Sequence, residues 1–107
     1  MLRRKLFVAA IFLVMLAASA VTQAGGDVAR GQELSANCAD CHGANGEGMD
    51  DAPALAGLDE TKHVEMLKGY KSGELADDSG VMGMFTEELS EQDMADLAAY
   101  YATLGGN

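Results

Sequence analysis

The chain has 107 residues, two cysteines, no tryptophan and a formal net charge of −10 from 17 acidic and 7 basic residues. A surface this acidic repels phosphate groups, which argues against binding to nucleic acid or to anionic lipid. The length leaves room for only a small folded domain.

Residues 1–24 have the pattern of an export signal that is removed after translocation. Residues 3–5 are basic, residues 6–21 are apolar apart from Ser19, and small residues precede Gly25. The apolar stretch is shorter than the ~20 residues that a membrane-spanning helix prefers. We therefore predict cleavage before Gly25 and a periplasmic location, with an uncleaved N-terminal anchor as the alternative.

Residues 25–107 are predicted to form one domain that makes no membrane contact after cleavage. Three of the 7 basic residues and none of the 17 acidic residues lie in the signal, so this part has a formal charge of −13. A domain of this size buries little surface and usually needs a metal, a cofactor or a disulfide. The acidity favours a basic docking partner, or else solubility in salt-rich surroundings.

The predicted fold is all-α, with no run of alternating hydrophobicity that would indicate a strand. Asp27 can cap a first helix over roughly 28–38, and a second helix is expected over about 60–71. The glycine-rich segment 43–58 is predicted to be a loop, and residues 72–89 are predicted to be irregular.

The last helix has the clearest predicted limits. Ser90 is a good N-cap, and Asp93 stands at the capping-box position three residues later. Leu97 and Tyr101 belong to an apolar stripe at helical spacing, and Gly105-Gly106 follows it as a stop signal.

The pair Cys38 and Cys41 is followed at once by His42, the C-x-x-C-H pattern that attaches a c-type haem. Each thiol can add to one haem vinyl group.

A disulfide, a redox dithiol and half of a zinc site are the alternatives. A zinc site would need a second pair of ligands, for which only His63 is available. We read His63 as a solvated residue on a polar helix face. The immediate histidine in an exported chain favours one covalent haem.

His42 is expected to offer one axial nitrogen to the iron, with its other ring nitrogen held by the backbone carbonyl of Pro53. The alternative for Pro53 is that it merely turns the loop. Sequence spacing alone leaves several candidates for the opposite axial position. These are Met49, Met66, Met82, Met84 and Met94.

Taken together, these residues resemble a class I cytochrome c over essentially the whole chain after the signal. The segments that carry the resemblance are Cys38-Ala39-Asp40-Cys41-His42-Gly43, Asp51-Ala52-Pro53-Ala54-Leu55-Ala56-Gly57, Tyr70-Lys71-Ser72-Gly73-Glu74, Val81-Met82-Gly83, Leu89-Ser90 and Leu97-Ala98-Ala99-Tyr100-Tyr101. They are most similar to short monohaem units, found free, in tandem diheme cytochromes, and as haem subunits of flavocytochrome sulfide dehydrogenases. The lysine ring of mitochondrial cytochromes c has no counterpart here.

The resemblance implies a cytochrome c fold of three to four short helices around one haem. It selects Met82, seven residues before Leu89, as the second axial ligand. It also implies outer-sphere electron transfer with redox partner proteins, and no catalytic residues in this chain. The alternatives are the haem subunit of a larger oxidoreductase, paired with a flavoprotein, and a haem sensor with a labile sixth position.

Overall fold

The computed structural model describes residues 25–105, so the predicted export signal at 1–24 lies outside the described residues. Within them the chain forms five helices and one isolated bridge, between Met49 and Ala52. The helices are α1 (Val28–Leu34), α2 (Ala36–His42), α3 (Glu60–Ser72), α4 (Val81–Thr86) and α5 (Glu91–Leu104). The all-α prediction is therefore confirmed. In the described part of the chain, no helix is long and apolar enough to cross a membrane.

Two helices differ from the sequence prediction. The helix predicted over 28–38 is divided at Ser35, and α2 continues through the cysteine pair to His42. The segment predicted to be irregular contains α4, a single short helix. The bounds of α3 and α5 agree with the prediction to within one or two residues. Ser90 caps α5 as predicted, and the structure shows that Asp59 caps α3. Ser90 and Asp93 form the predicted capping box.

Helices α1 and α5 cross at Gly31. A Cβ atom at that position would lie 1.9 Å from the backbone oxygen of Asp96 and 2.8 Å from the Cβ atom of Tyr100. Only glycine therefore allows the two backbones to approach so closely. Asp96 is only 2 % exposed, and its carboxylate accepts a hydrogen bond of 2.7 Å from the backbone N–H of Asp27. This hydrogen bond stabilises the same helix crossing.

The core lies between α3, α5 and the loop that follows α2. Its members are Leu55, Leu67, Met94, Leu97, Tyr100 and Tyr101. The loop is anchored by backbone hydrogen bonds of 2.8 and 2.9 Å from Leu55 and Ala56 to the oxygen of Gly46. These contacts fold residues 43–58 back over the end of α2, which places Pro53 next to His42.

Candidate functional site

The C-x-x-C-H motif lies on helix α2, at its C-terminal end. Cys38 and Cys41 are three residues apart, so they share one face of the helix. Both thiols are free, Cys38 half-buried and Cys41 exposed. His42 is the last residue of the helix, and only 6 % of its surface is exposed. Helix α2 therefore places two thiols and one imidazole close together at its C-terminal end.

The imidazole of His42 is held by the loop that was predicted to reach it. Its Nδ1 atom lies 2.7 Å from the backbone oxygen of Pro53. Since a carbonyl can only accept, Nδ1 carries the proton, and Nε2 keeps a free lone pair. This fixes the tautomer and the orientation that a metal-binding imidazole requires.

An apolar cleft with an empty volume of about 570 Å³, part of it open to solvent, lies beside the motif. Cys38, Cys41 and His42 line one wall, and Met82 of α4 lies in the wall supplied by that helix. The remaining lining is mainly hydrophobic: Leu34, Leu67, Val81, Phe85, Leu89 and Leu97. A large apolar slot next to two thiols and a free imidazole nitrogen fits a flat hydrophobic macrocycle fixed by thioethers.

Among the candidate methionines, Met82 is the one whose side chain lines this cleft in the described structure. Met84 is 73 % exposed, and Met49 is 48 % exposed. Met94 is 1 % exposed and belongs to the core. Met66 is half-buried on α3 and does not line the cleft. The structure thus brings His42 and Met82 to the same cavity.

The thiol chemistry argues against a redox dithiol. Burial raises the pKa of the Cys38 thiol, and a hydrogen bond with Tyr101 only partly opposes this effect. A reactive thiolate requires a lowered pKa instead. Within residues 25–105, no three or more histidine, cysteine or acidic residues are grouped so that they could hold a metal ion.

His63 is buried, so its interpretation as a solvated residue was wrong. It is only 3 % exposed, and its ring packs against Tyr101 with a centroid distance of 5.7 Å. Burial, helped by the nearby His42, lowers its pKa to about 4, so the imidazole is neutral at pH 7. The polar neighbours of His63 along α3 hid this position, which belongs to the same helix face as Leu67.

Sequence reasoning missed two residues that shape the cleft from the side of α4. Thr86, 1 % exposed, donates a hydrogen bond of 2.8 Å from its hydroxyl to the backbone oxygen of Met82. The carboxylate of Asp77 accepts a hydrogen bond of 3.2 Å from the backbone N–H of Met82. The run Asp77-Asp78-Ser79-Gly80 is a turn signal that could have indicated Asp77, whereas nothing in the pattern indicated Thr86.

Comparison with known proteins agrees with this site. The cytochrome c family model matches residues 28–105. The chain is 40 % identical to cytochrome c-554(547) of Halothiobacillus neapolitanus over 89 residues, which cover 74 % of this chain and 98 % of that protein. It is 37 % identical to cytochrome c4 of Pseudomonas aeruginosa over 92 residues, covering 85 % of this chain but 45 % of that protein.

Solved structures show the same fold. Cytochrome c4 of Pseudomonas stutzeri superposes with a TM-score of 0.67 at 23 % identity, over 75 % of this chain and 51 % of that one. The chain therefore spans about half the length of that structure. Thiosulfate dehydrogenase TsdBA of Marichromatium purpuratum superposes with a TM-score of 0.69 at 27 % identity, over 78 % of this chain and 20 % of that one.

The family match covers nearly all of the described chain, and the cleft, the thiol pair and the oriented imidazole agree with the cofactor of that family. This chain therefore belongs to the cytochrome c family, and it carries a covalently attached c-type haem.

Proposed function

We propose that the protein is a periplasmic electron carrier with one His/Met-ligated haem, formed by residues 25–107 after removal of an export signal at 1–24. The observation that carries this proposal is that both thiols, His42 and Met82 line one and the same apolar cleft. A site with both axial positions filled passes electrons without binding a substrate, so no catalytic residues are required in this chain.

The chain's own residues have distinct tasks in this proposal. Cys38 and Cys41 would hold the haem through thioethers, and His42 Nε2 and Met82 Sδ would bind its iron. The bound haem would supply an iron that can change between the ferrous and ferric states. Pro53 fixes the imidazole through the 2.7 Å hydrogen bond, and the apolar walls exclude water. A methionine ligand and a dry pocket both raise the reduction potential.

A second pocket beside the cleft is acidic, which favours a basic redox partner. It shares Cys41 and Met82 with the cleft and is lined by Asp40, Asp50, Asp51 and Asp77. No lysine or arginine of the described chain lines the cleft or this second pocket. Among the basic side chains of the described residues, Arg30 pairs with Asp93 and Lys68 pairs with Glu91. Lys71 donates a hydrogen bond to the backbone oxygen of Leu89, which lines the cleft. The four aspartates therefore give their side of the cleft a negative field.

We expect a cationic reductant such as hexaammineruthenium(II) to reduce the ferric protein at a rate that falls about tenfold as salt is raised from low ionic strength, because salt screens the attraction. The measurement is stopped-flow reduction at several ionic strengths. The variant Asp40→Lys/Asp51→Lys should lose most of this salt dependence. Its matched control is Glu60→Lys/Glu65→Lys on α3. This variant changes the net charge by the same amount but should retain the salt dependence of the reduction rate. Equal effects of both double variants would contradict a docking face at the cleft.

The alternative is that the chain is the haem subunit of a larger oxidoreductase, such as a flavocytochrome sulfide dehydrogenase. The similarity to a domain-sized part of a thiosulfate dehydrogenase favours this alternative over a sensor. In that case catalysis belongs to the partner, and the haem chemistry of this chain is unchanged. Native mass distinguishes the two forms, because a free carrier is isolated without a catalytic chain.

A further inference from the structure

Met82 lies in a helix that has no side-chain N-cap. Helix α4 has six residues, and its N-cap is Gly80, in a left-handed conformation and without a side-chain cap. A helix this short is not stable in isolation, because it forms too few hydrogen bonds to offset the cost of nucleation. Contacts from outside the helix must therefore keep Met82 in place.

A carboxylate three residues before the N-cap supplies one such contact. Asp77 Oδ1 accepts the 3.2 Å hydrogen bond from the backbone N–H of Met82, and Asp77 Oδ2 accepts one of 2.6 Å from the hydroxyl of Ser79. The Ser79 oxygen in turn accepts a hydrogen bond of 3.4 Å from the backbone N–H of Val81. One side chain thus organises the first turn of α4.

The other backbone group of Met82 is held from the opposite side. The Thr86 hydroxyl donates a hydrogen bond of 2.8 Å to the backbone oxygen of Met82. It also lies 3.3 Å from the backbone oxygen of Gly83. Thr86 is 1 % exposed and lines the cleft, so water does not compete for this bond. Side chains therefore hold both the N–H and the C=O of the residue that carries the sulfur.

We propose that Asp77 and Thr86 are positioning residues that clamp the backbone of Met82 and so slow the departure of its sulfur from the iron. This inference rests on the proposed role of Met82 as an axial ligand. Hydrogen bonds to a charged group contribute more than neutral ones, so the Asp77 contact is expected to have the larger effect.

The test is the rate at which imidazole displaces methionine in the ferric holoprotein, measured at saturating imidazole, where loss of the sulfur limits the rate. We expect Asp77→Ala to raise this rate about tenfold or more, the loss expected for one charge-assisted hydrogen bond. Asp77→Asn keeps an acceptor oxygen and should fall between Asp77→Ala and the unaltered protein. The exposed neighbour Asp78 forms no side-chain hydrogen bond in the described structure, so Asp78→Ala is the charge-matched control and should change the rate less than twofold.

Equal rates for Asp77→Ala and Asp78→Ala would overturn the clamp, because the effect would then come from charge alone. If Asp77→Ala fails to fold, Asp77→Asn and the pair Thr86→Val and Thr86→Ser carry the test, with the serine variant expected to retain the slow rate. The proposed function fails differently. If Met82 is not a ligand, either the unaltered protein lacks the methionine–iron charge-transfer band or Met82→Ala retains that band, whatever the Asp77 and Thr86 variants do.

Discussion

Replacement of Met82 by alanine is expected to abolish the far-red charge-transfer band that a methionine sulfur gives to ferric haem. Met82 lines the cleft that also contains His42, and its backbone is held there by Asp77 and Thr86. Without the sulfur the iron has an open position, so we also expect a lower reduction potential. Absorption spectra of the oxidised protein and a redox titration provide the measurement.

Met84→Ala is the matched control for this experiment. Met84 lies two residues further along α4, about 200° around the helix, and is 73 % exposed. Its loss should leave both the band and the potential unchanged. If Met84→Ala removes the band and Met82→Ala retains it, the ligand assignment is wrong.

The double variant Cys38→Ser/Cys41→Ser is expected to yield little folded protein. The described core contains few fully buried hydrophobic residues, and Leu67 and Leu97 belong to both the core and the cleft. A core of this size contributes only about 3–5 kcal/mol, so an apolar cleft left without its haem would leave little net stability. Circular dichroism during thermal unfolding measures the remaining structure.

Single replacement of Cys38 or Cys41 is the control, because one thioether still retains the haem. Those variants should fold with a lower melting temperature than the unaltered protein. A cooperative unfolding transition in the haem-free double variant would show that the polypeptide core is sufficient, and that the structural contribution of the cofactor has been overestimated.

The sequence predicted most reliably the parts of the fold that depend on local signals. Ser90 and Asp93 mark the start of α5 because a capping box is formed by residues close in the chain. The C-x-x-C-H motif indicated haem for the same reason. The resemblance to class I cytochromes selected Met82, whose position in the cleft agrees with that choice.

Helix α4 was missed although its organising contact is local: it lacks a side-chain cap, and Asp77, five residues before Met82, holds its first turn. The other features that sequence reasoning missed depend on contacts between distant residues. His63 is buried because α3 turns that position toward Tyr101, although its neighbours in sequence are polar. Asp96 is a buried acidic residue whose carboxylate accepts hydrogen bonds from the side chain of Gln92 and from the backbone N–H of Asp27, 69 positions earlier in the chain. Neither propensity nor periodicity encodes such pairings.

The central claim is that the iron is closed on both faces by His42 and Met82. Exposure of the reduced protein to carbon monoxide tests it most directly, with Met82→Ala as the positive control that binds the gas. We predict that the visible spectrum of the unaltered protein does not change on mixing, because no axial position is free. Immediate formation of a carbon monoxide complex would contradict a closed electron carrier and would indicate a ligand-binding or sensing haem.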